Sequence, residues 1–292
     1  MSKRLLCLLG SLLSMPFASL ASDWFETNSP LTQAHQHLLN NELGPMFHSM
    51  VDVWQAKQPQ NTQRHLNELL LQSLTVDCGK GLTDKTFPDW LNGVHLTKIE
   101  IQSPGRDAHQ VMIEIQAEKE LAEISLSQWA EKPLAVDSAF NVSSDAVTSS
   151  EFVYRRHYYL NDKLAMGLYR LDVTALDNSS WSTWIILAEP KAKQTVRWSS
   201  QEQWIVDKNA LLNRHCPLPV MSVSVYDYID GIYQEVWQKS YESNYPNQLE
   251  WQELSSQRYI LTVAMKHQRW QGPIIIEQSQ VISKTYNVSL EE

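Results

Sequence analysis

The spacing of apolar residues changes along the chain from a helical period to a strand period. Between residues 29 and 75, apolar side chains recur every three to four positions in three short runs, which predicts three amphipathic helices. Ser29 followed by Pro30 is typical of a helix start, because serine caps free backbone amides and proline fits the first turn. Helices this short are marginal alone, so we expect them to pack on each other or on the following segment.

After Gly81 apolar and polar positions alternate, which is the pattern of half-buried β-strands. Asp230-Gly231 separates two such runs and predicts a tight hairpin, since both residue types tolerate the backbone of a two-residue turn. A pattern of Tyr, apolar strand and Trp that begins at Tyr169 returns at Tyr259, about 90 residues later. That offset fits one immunoglobulin-like domain.

The chain is therefore predicted to be mostly β with a small helical N-terminal domain. A short α-helical bundle would be followed by two immunoglobulin-like β-sandwiches. The predicted boundaries are 1–21 for a signal peptide, 22–90 for the helical domain, 91–192 for the first sandwich and 193–292 for the second.

The first 21 residues have the composition of a secretory signal peptide. Lys3 and Arg4 precede an apolar run over residues 5–17, and small residues surround the expected cleavage site after Ala21. The run is shorter than the roughly 20 apolar residues that span a bilayer. We therefore expect a secreted, periplasmic protein with no membrane span in the mature chain.

Two cysteines, Cys78 and Cys216, follow the predicted signal peptide. In an oxidising compartment such a pair is expected to form a disulfide, which would tie the helical domain to the C-terminal part of the chain. The alternative is two separate thiols, one of them linked to a partner.

The chain is acidic, with a formal net charge of −9. Binding to phosphate backbones or anionic lipid depends on clustered Lys and Arg, so no nucleic-acid partner is expected. The sequence also lacks the common signatures of serine hydrolases, zinc proteases, phosphate loops and dinucleotide folds. We predict no catalytic residues, no cofactor and no metal site. A hydrolase remains an alternative, because glycosidase carboxylates follow no fixed spacing.

Three groups of residues are candidates for binding. Met46, Phe47, Met50 and Trp54 share one face of the second helix and would form an exposed docking cluster for a protein partner.

The other two groups lie on predicted strands. Arg155 and His157 share one strand face and suit a carboxylate or sugar hydroxyls, while Tyr158 lies on the opposite face. Trp198 and Trp204, two of eleven tryptophans, lie among polar residues. With Tyr158 they are candidates for a platform on which sugar rings stack, although a core, a domain interface or a protein-binding surface would use the same composition.

Together, the signal segment, the opening helix at residues 29–35 and the strand at 168–175 resemble an uncharacterised family of periplasmic proteins from vibrios, known as a domain of unknown function. The resemblance implies a Gram-negative envelope setting with a link to envelope stress signalling, and it carries no catalytic residues over. We therefore expect a non-catalytic protein that binds an envelope protein. A module that binds peptidoglycan or another polysaccharide is the first alternative, and a hydrolase is the second.

Overall fold

The computed structural model describes residues 29–56, 60–83, 85–130, 141–143, 152–188, 192–251 and 258–287. The predicted signal peptide lies outside these ranges. The described part is mostly β, with three short helices at its N-terminal end, as the spacing of apolar residues predicts.

The helices are α1 (Pro30–Leu39), α2 (Leu43–Gln55) and α3 (Gln60–Asp77). The predicted start of α1 is confirmed: the Thr32 amide donates to Ser29 Oγ at 3.3 Å, and Pro30 occupies the first turn. The cap satisfies one of the amides that a helix N-terminus leaves unpaired.

The strands follow in chain order: β1 (Leu91–Ser103), β2 (Arg106–Ala117), β3 (Leu121–Gln128), β4 (Asn141–Ser143), β5 (Phe152–Leu160), β6 (Gly167–Ala175), β7 (Ser180–Leu187), β8 (Gln194–Trp198), β9 (Trp204–Lys208), β10 (Val220–Ile229), β11 (Ile232–Tyr241), β12 (Arg258–Gln271) and β13 (Ile274–Asn287). Eight of them form one large sheet in the order β11-β10-β12-β13-β1-β2-β5-β4. Its central pair, β1 and β13, is parallel, and the other pairs are antiparallel. Strands β3-β6-β7 form a second sheet, and β8-β9 form a ribbon.

At one end of the large sheet the fold has three layers. The β3-β6-β7 sheet packs on β1, β2 and β5 around a core that includes Ile113, Ile115 and Leu171, all fully buried. The helices cover the other face of the three-stranded sheet, which contributes Leu168 and Ile186 to their core. The short helices thus gain stability from tertiary packing, as expected for helices of their length.

The opposite end of the large sheet has a thinner cover. There the β8-β9 ribbon packs on β10, β12 and β13, and Val196 and Trp204 meet Val223, Leu261 and Val263 in a separate core. Strands from both sides of the predicted boundary at residues 192 and 193 therefore share one sheet. The immunoglobulin-like detail and the domain boundaries stay predictions.

Strand β13 contributes side chains to both cores from one of its faces. Ile274 and Ile276 belong to the core of the three-layered end, and Ile282 belongs to the core under the ribbon. Because side chains two apart in a strand point to the same side, both covering layers lie on this same face of the large sheet. We call it the inner face.

Two glutamines of the large sheet attach the covering layers through backbone groups. Gln271 accepts from the Ile186 amide at 3.0 Å and donates to the Trp184 carbonyl at 2.8 Å. Gln280 makes the same pair of bonds with both backbone groups of Val196, each at 2.8 Å. Each side-chain amide therefore acts like an additional peptide unit and satisfies strand groups that would otherwise be buried unpaired.

The predicted disulfide joins Cys78 to Cys216, with a Cα–Cα distance of 5.1 Å. Next to it, the Trp270 amide donates to the Cys78 carbonyl at 2.9 Å, and the Gly272 amide donates to Gly79 at 3.0 Å. Gly79 has φ +89°, and a Cβ there would overlap the Trp270 carbonyl oxygen. This close backbone approach requires glycine, and it fixes the end of α3 to the sheet.

Within the described residues, no helix combines the length and the apolar character needed to cross a bilayer.

Candidate functional site

The predicted docking cluster on α2 faces inward. Met46, Phe47 and Met50 have no exposed surface, and Trp54 is half-buried. The three buried side chains fill the core between the helices and the three-stranded sheet. The prediction of an exposed cluster is therefore wrong for them, because the apolar face of α2 is covered by its own fold.

Strand β5 places Arg155 and His157 on one face and Tyr158 on the other. Arg155 Nε donates to Glu114 Oε2 at 2.7 Å, and the His157 ring stacks on Tyr159 with a centroid distance of 6.3 Å. Burial, and to a lesser extent Arg155, lowers the pKa of His157 below its ordinary value. Tyr158 is fully buried on the opposite face, where its hydroxyl accepts from the Leu126 amide at 2.9 Å. Arg155 and His157 therefore share a surface from which Tyr158 is absent.

The predicted sugar platform is not assembled in this fold. Trp204 is fully buried, Trp198 is half-buried, and their rings meet edge to face at 80° with centroids 6.1 Å apart. Lys284 Nζ lies 3.9 Å from the centroid of the Trp198 ring. Tyr158 belongs to the other core. The three rings thus offer no common flat surface, and Trp204 acts as a core residue.

A different group of aromatic and aliphatic residues is exposed, at the turn between β10 and β11. We call residues 226–236 the hairpin tip. Asp230 and Gly231 form its turn with φ angles of 51° and 86°, as their sequence predicts. Tyr228 is 60% exposed, Ile232 is 65% exposed and Tyr233 is 59% exposed. These fractions matter because large apolar side chains grouped on a surface mark interaction sites.

The hairpin tip extends beyond the strand that supports it. Strand β10 pairs with β12 from Val220 to Tyr226, and the residues after Tyr226 pair only with β11. The rings of Tyr228 and Tyr233 contact each other with centroids 4.9 Å apart. Sequence reasoning identified the turn and missed the surface. The sequence does contain a signal for this surface: adjacent apolar residues stand on both sides of Asp230-Gly231. In a hairpin such neighbours leave apolar side chains on both faces.

Charge at the hairpin tip is negative. It carries Asp227, Asp230 and Glu235, and no Lys or Arg. The Tyr226 hydroxyl donates to Glu235 Oε2 at 3.1 Å, and burial together with Glu235 raises the pKa of Tyr226. The surface is therefore apolar and aromatic with carboxylates around it.

Strand β11 is also the outermost strand of the large sheet. Among the described residues no strand pairs with its outer side, so its backbone groups there can hydrogen-bond to an added strand. A bulge beside Val225 and Tyr226 interrupts its pairing with β10 and increases the local twist.

Metal-binding side chains are sparse in the described ranges. No group of three or more His, Cys, Asp or Glu residues is placed there to hold a metal ion. His35 and His65 form a pair across α1 and α3, with their Nε2 atoms 2.7 Å apart. Two ligands fall short of the four that a structural zinc site uses.

Residues 24–287 match a protein family described as "Protein of unknown function (DUF2861)". No protein with a curated function matches the chain.

Proposed function

We propose that this chain, which belongs to the DUF2861 family, is a non-catalytic protein that binds a protein partner in the cell envelope through its hairpin tip. The observation that carries the proposal is the exposure of Tyr228, Ile232 and Tyr233 together on a hairpin that extends past its sheet. Burying aromatic side chains is a main source of binding free energy at protein interfaces.

The partner we propose is an extended segment that combines apolar residues with Lys or Arg. Such a segment would add a strand to the outer side of β11, where main-chain hydrogen bonds provide affinity. Its apolar side chains would cover Ile232 and Tyr233, and its cations would meet Asp227 and Glu235. Like charges would repel an acidic segment from the same surface.

The cellular setting is part of the proposal. A signal peptide over residues 1–21 would deliver the protein to a periplasm, as the family resemblance to vibrio proteins implies, and the Cys78–Cys216 disulfide is compatible with export. In that setting the partner would be an envelope protein linked to stress signalling. Immunoglobulin-like layers would serve as a rigid support for the hairpin.

Site-specific photo-crosslinking in intact cells tests the proposal. A benzophenone amino acid replaces Tyr233 in one variant and Leu39, which is 82% exposed on α1, in another. We expect a discrete protein adduct from position 233 and none from position 39. Mass spectrometry of the adduct should place the crosslink in a segment that contains Lys or Arg.

A second pair of variants removes the surface while the probe stays at position 233. Ile232→Lys should abolish the adduct, because a cation replaces a central apolar contact. Leu176→Lys is the matched control, since Leu176 is 62% exposed on the turn between β6 and β7. The proposal fails if both positions crosslink equally, if neither does, or if Ile232→Lys leaves the adduct unchanged. Co-sedimentation of the protein with insoluble peptidoglycan tests the glycan alternative, which stays a prediction.

A further inference from the structure

A stripe of polar side chains crosses the inner face of the large sheet between its two apolar cores. On β12 the stripe contains His267 and Arg269, on β13 it contains Gln278, and on β1 it contains Lys98. His267 is opposite Gln278, and Gln278 is opposite Lys98 in the strand register, so these side chains share one face. The stripe lies between the part of the inner face that the three-stranded sheet covers and the part that the β8-β9 ribbon covers.

A cavity of about 270 Å³ lies over this stripe. Its walls are mainly aliphatic and come from α3, β7, β13 and the segment 209–219 that leads into β10. They are formed by Leu71, Leu74, Leu187, Leu212, Pro217 and Ile276. The disulfide and a hydrogen bond of 2.7 Å from Asn213 Nδ2 to the Leu74 carbonyl hold this segment against the end of α3. The volume is close to the lower end of the range for small-molecule sites, about 300 Å³.

The charge at the cavity is carried by cations with few carboxylate partners. Arg269 uses two of its five N–H groups on neutral carbonyls, those of Ile186 at 3.0 Å and Trp270 at 3.3 Å. Burial lowers the pKa of Arg269 to about 10, so it stays charged near neutral pH. Among the described residues, no carboxylate forms an ion pair with it.

His267 adds a hydrogen-bonding group to the cavity, and Lys193 adds a positive charge. Burial, and to a lesser extent Lys193, lowers the pKa of His267 below its ordinary value, so its ring is neutral near neutral pH. His267 Nε2 is buried and has no hydrogen-bond partner in the described part of the chain. Lys193 lines the same cavity and has no ion pair with a described carboxylate. Lys98 is paired with Glu100 at 3.3 Å. Glu277 is the one carboxylate among the described residues that line the cavity, and it belongs to the opposite face of β13 from Gln278. A protein of net charge −9 therefore surrounds a cavity with unbalanced positive charge.

An unpaired buried donor costs free energy, and a cation held in an aliphatic cavity is stabilised by an anion. The aliphatic walls in turn favour hydrocarbon over water. A ligand that satisfies both conditions has a carboxylate at one end and an apolar body at the other.

We propose that this cavity binds a small amphipathic carboxylate, such as a short fatty acid. The carboxylate accepts hydrogen bonds from Arg269, His267 and Lys193, and the hydrocarbon packs against the leucines of α3 and Leu212. Inorganic phosphate would meet the cations and leave the aliphatic walls unfilled. The proposal does not depend on a protein partner at the hairpin tip.

Calorimetric titration of the purified protein tests the ligand class without any substitution. The probes are octanoate, 1-octanol and inorganic phosphate. We expect saturable 1:1 binding of octanoate, at least tenfold weaker binding of 1-octanol, and no competition by phosphate. The absence of saturable octanoate binding, equal affinity for 1-octanol, or displacement of octanoate by phosphate would each overturn the proposal.

Two variants then test the residues. Lys193→Met and His267→Asn should each weaken octanoate binding about tenfold, as expected when a hydrogen bond to a charged group is lost. Lys266→Met is the matched control. Lys266 is a cation next to His267 on β12, and its side chain lies on the opposite face of the sheet from the cavity. Equal loss in Lys266→Met and Lys193→Met would contradict the assignment. Ile232→Lys at the hairpin tip should bind octanoate normally, which separates this site from the proposed partner surface.

Discussion

The two ends of the large sheet differ in how many layers cover them. At the β5 end, the three-stranded sheet covers the inner face and the helices cover that sheet in turn, and residues such as Ile113 and Tyr158 have no exposed surface. At the β11 end a two-stranded ribbon is the cover, and every β11 residue but Trp237 and Tyr241 is exposed. Both ends are rich in apolar and aromatic residues. Exposure therefore follows the number of covering layers, and composition alone does not predict it.

The largest effect expected from this comparison is a contrast between two apolar truncations. Phe47→Ala removes a fully buried ring from the helical layer and should lower the free energy of unfolding by about 3–5 kcal/mol. Ile232→Ala removes an exposed side chain and should change it by less than about 0.5 kcal/mol. Urea unfolding followed by circular dichroism measures both. Equal losses would mean that the two ends are covered alike.

A smaller effect is expected at the two glutamines, which attach one cover each. Gln271→Ala leaves buried backbone groups of β7 unpaired and should cost about 2–3 kcal/mol of unfolding free energy. Gln280→Ala leaves the backbone amide and carbonyl of Val196 without their side-chain partner. Because Gln280 is only half-buried, water can replace its amide, and we expect a loss of about 1–2 kcal/mol of unfolding free energy.

Amide hydrogen exchange distinguishes the two glutamine variants locally. The Ile186 amide should exchange faster in Gln271→Ala, and the Val196 amide should exchange faster in Gln280→Ala. Gln72→Ala, at an exposed position on α3, is the control and should change neither amide. If both amides accelerate in both variants, the two covers unfold as one unit and the contrast between the ends disappears.

The smallest effect is a pH dependence within the helical layer. Burial first, and His65 second, lower the pKa of His35 below its ordinary value of 6.5. The unfolded chain therefore binds a proton at His35 more readily than the folded chain. Stability should fall as the pH drops through 6.5, and it should level off below the lower pKa of the folded state. His35→Gln should flatten this slope in unfolding curves between pH 7.5 and 5, and an unchanged slope would assign the dependence to other groups.

Local features of this fold were readable from the sequence because they depend on neighbouring residues. The Ser29-Pro30 start of α1 and the Asp230-Gly231 turn require only a few adjacent side chains, and both predictions are confirmed. The Cys78–Cys216 disulfide was also predictable, since only two cysteines follow the predicted signal peptide and such a pair leaves few alternatives.

Features that depend on distant segments could not be read in the same way. The apolar face of α2 looks identical in sequence whether it meets a partner or a core, so the burial of Phe47 could not be predicted. The tryptophans raise the same problem, because Trp204 lies in a polar stretch and its covering residues come from β10 and β12. The positive cavity is the extreme case. His267 and Lys98 come from distant strands that the sheet register brings together, and Lys193 reaches the same cavity from the segment before β8.

The parallel pair at the centre of the large sheet has a consequence for how this protein is made. Strand β1 pairs with β13 from His95 opposite Ile275 to Gln102 opposite Ile282, a separation of about 180 residues. Contacts this far apart in sequence form slowly, because a long loop must close before they contribute. During synthesis β13 emerges from the ribosome after the other described strands. Until then one core lacks Ile274 and Ile276 and the other lacks Ile282, so a chain truncated before Ile274 would lose side chains from both cores.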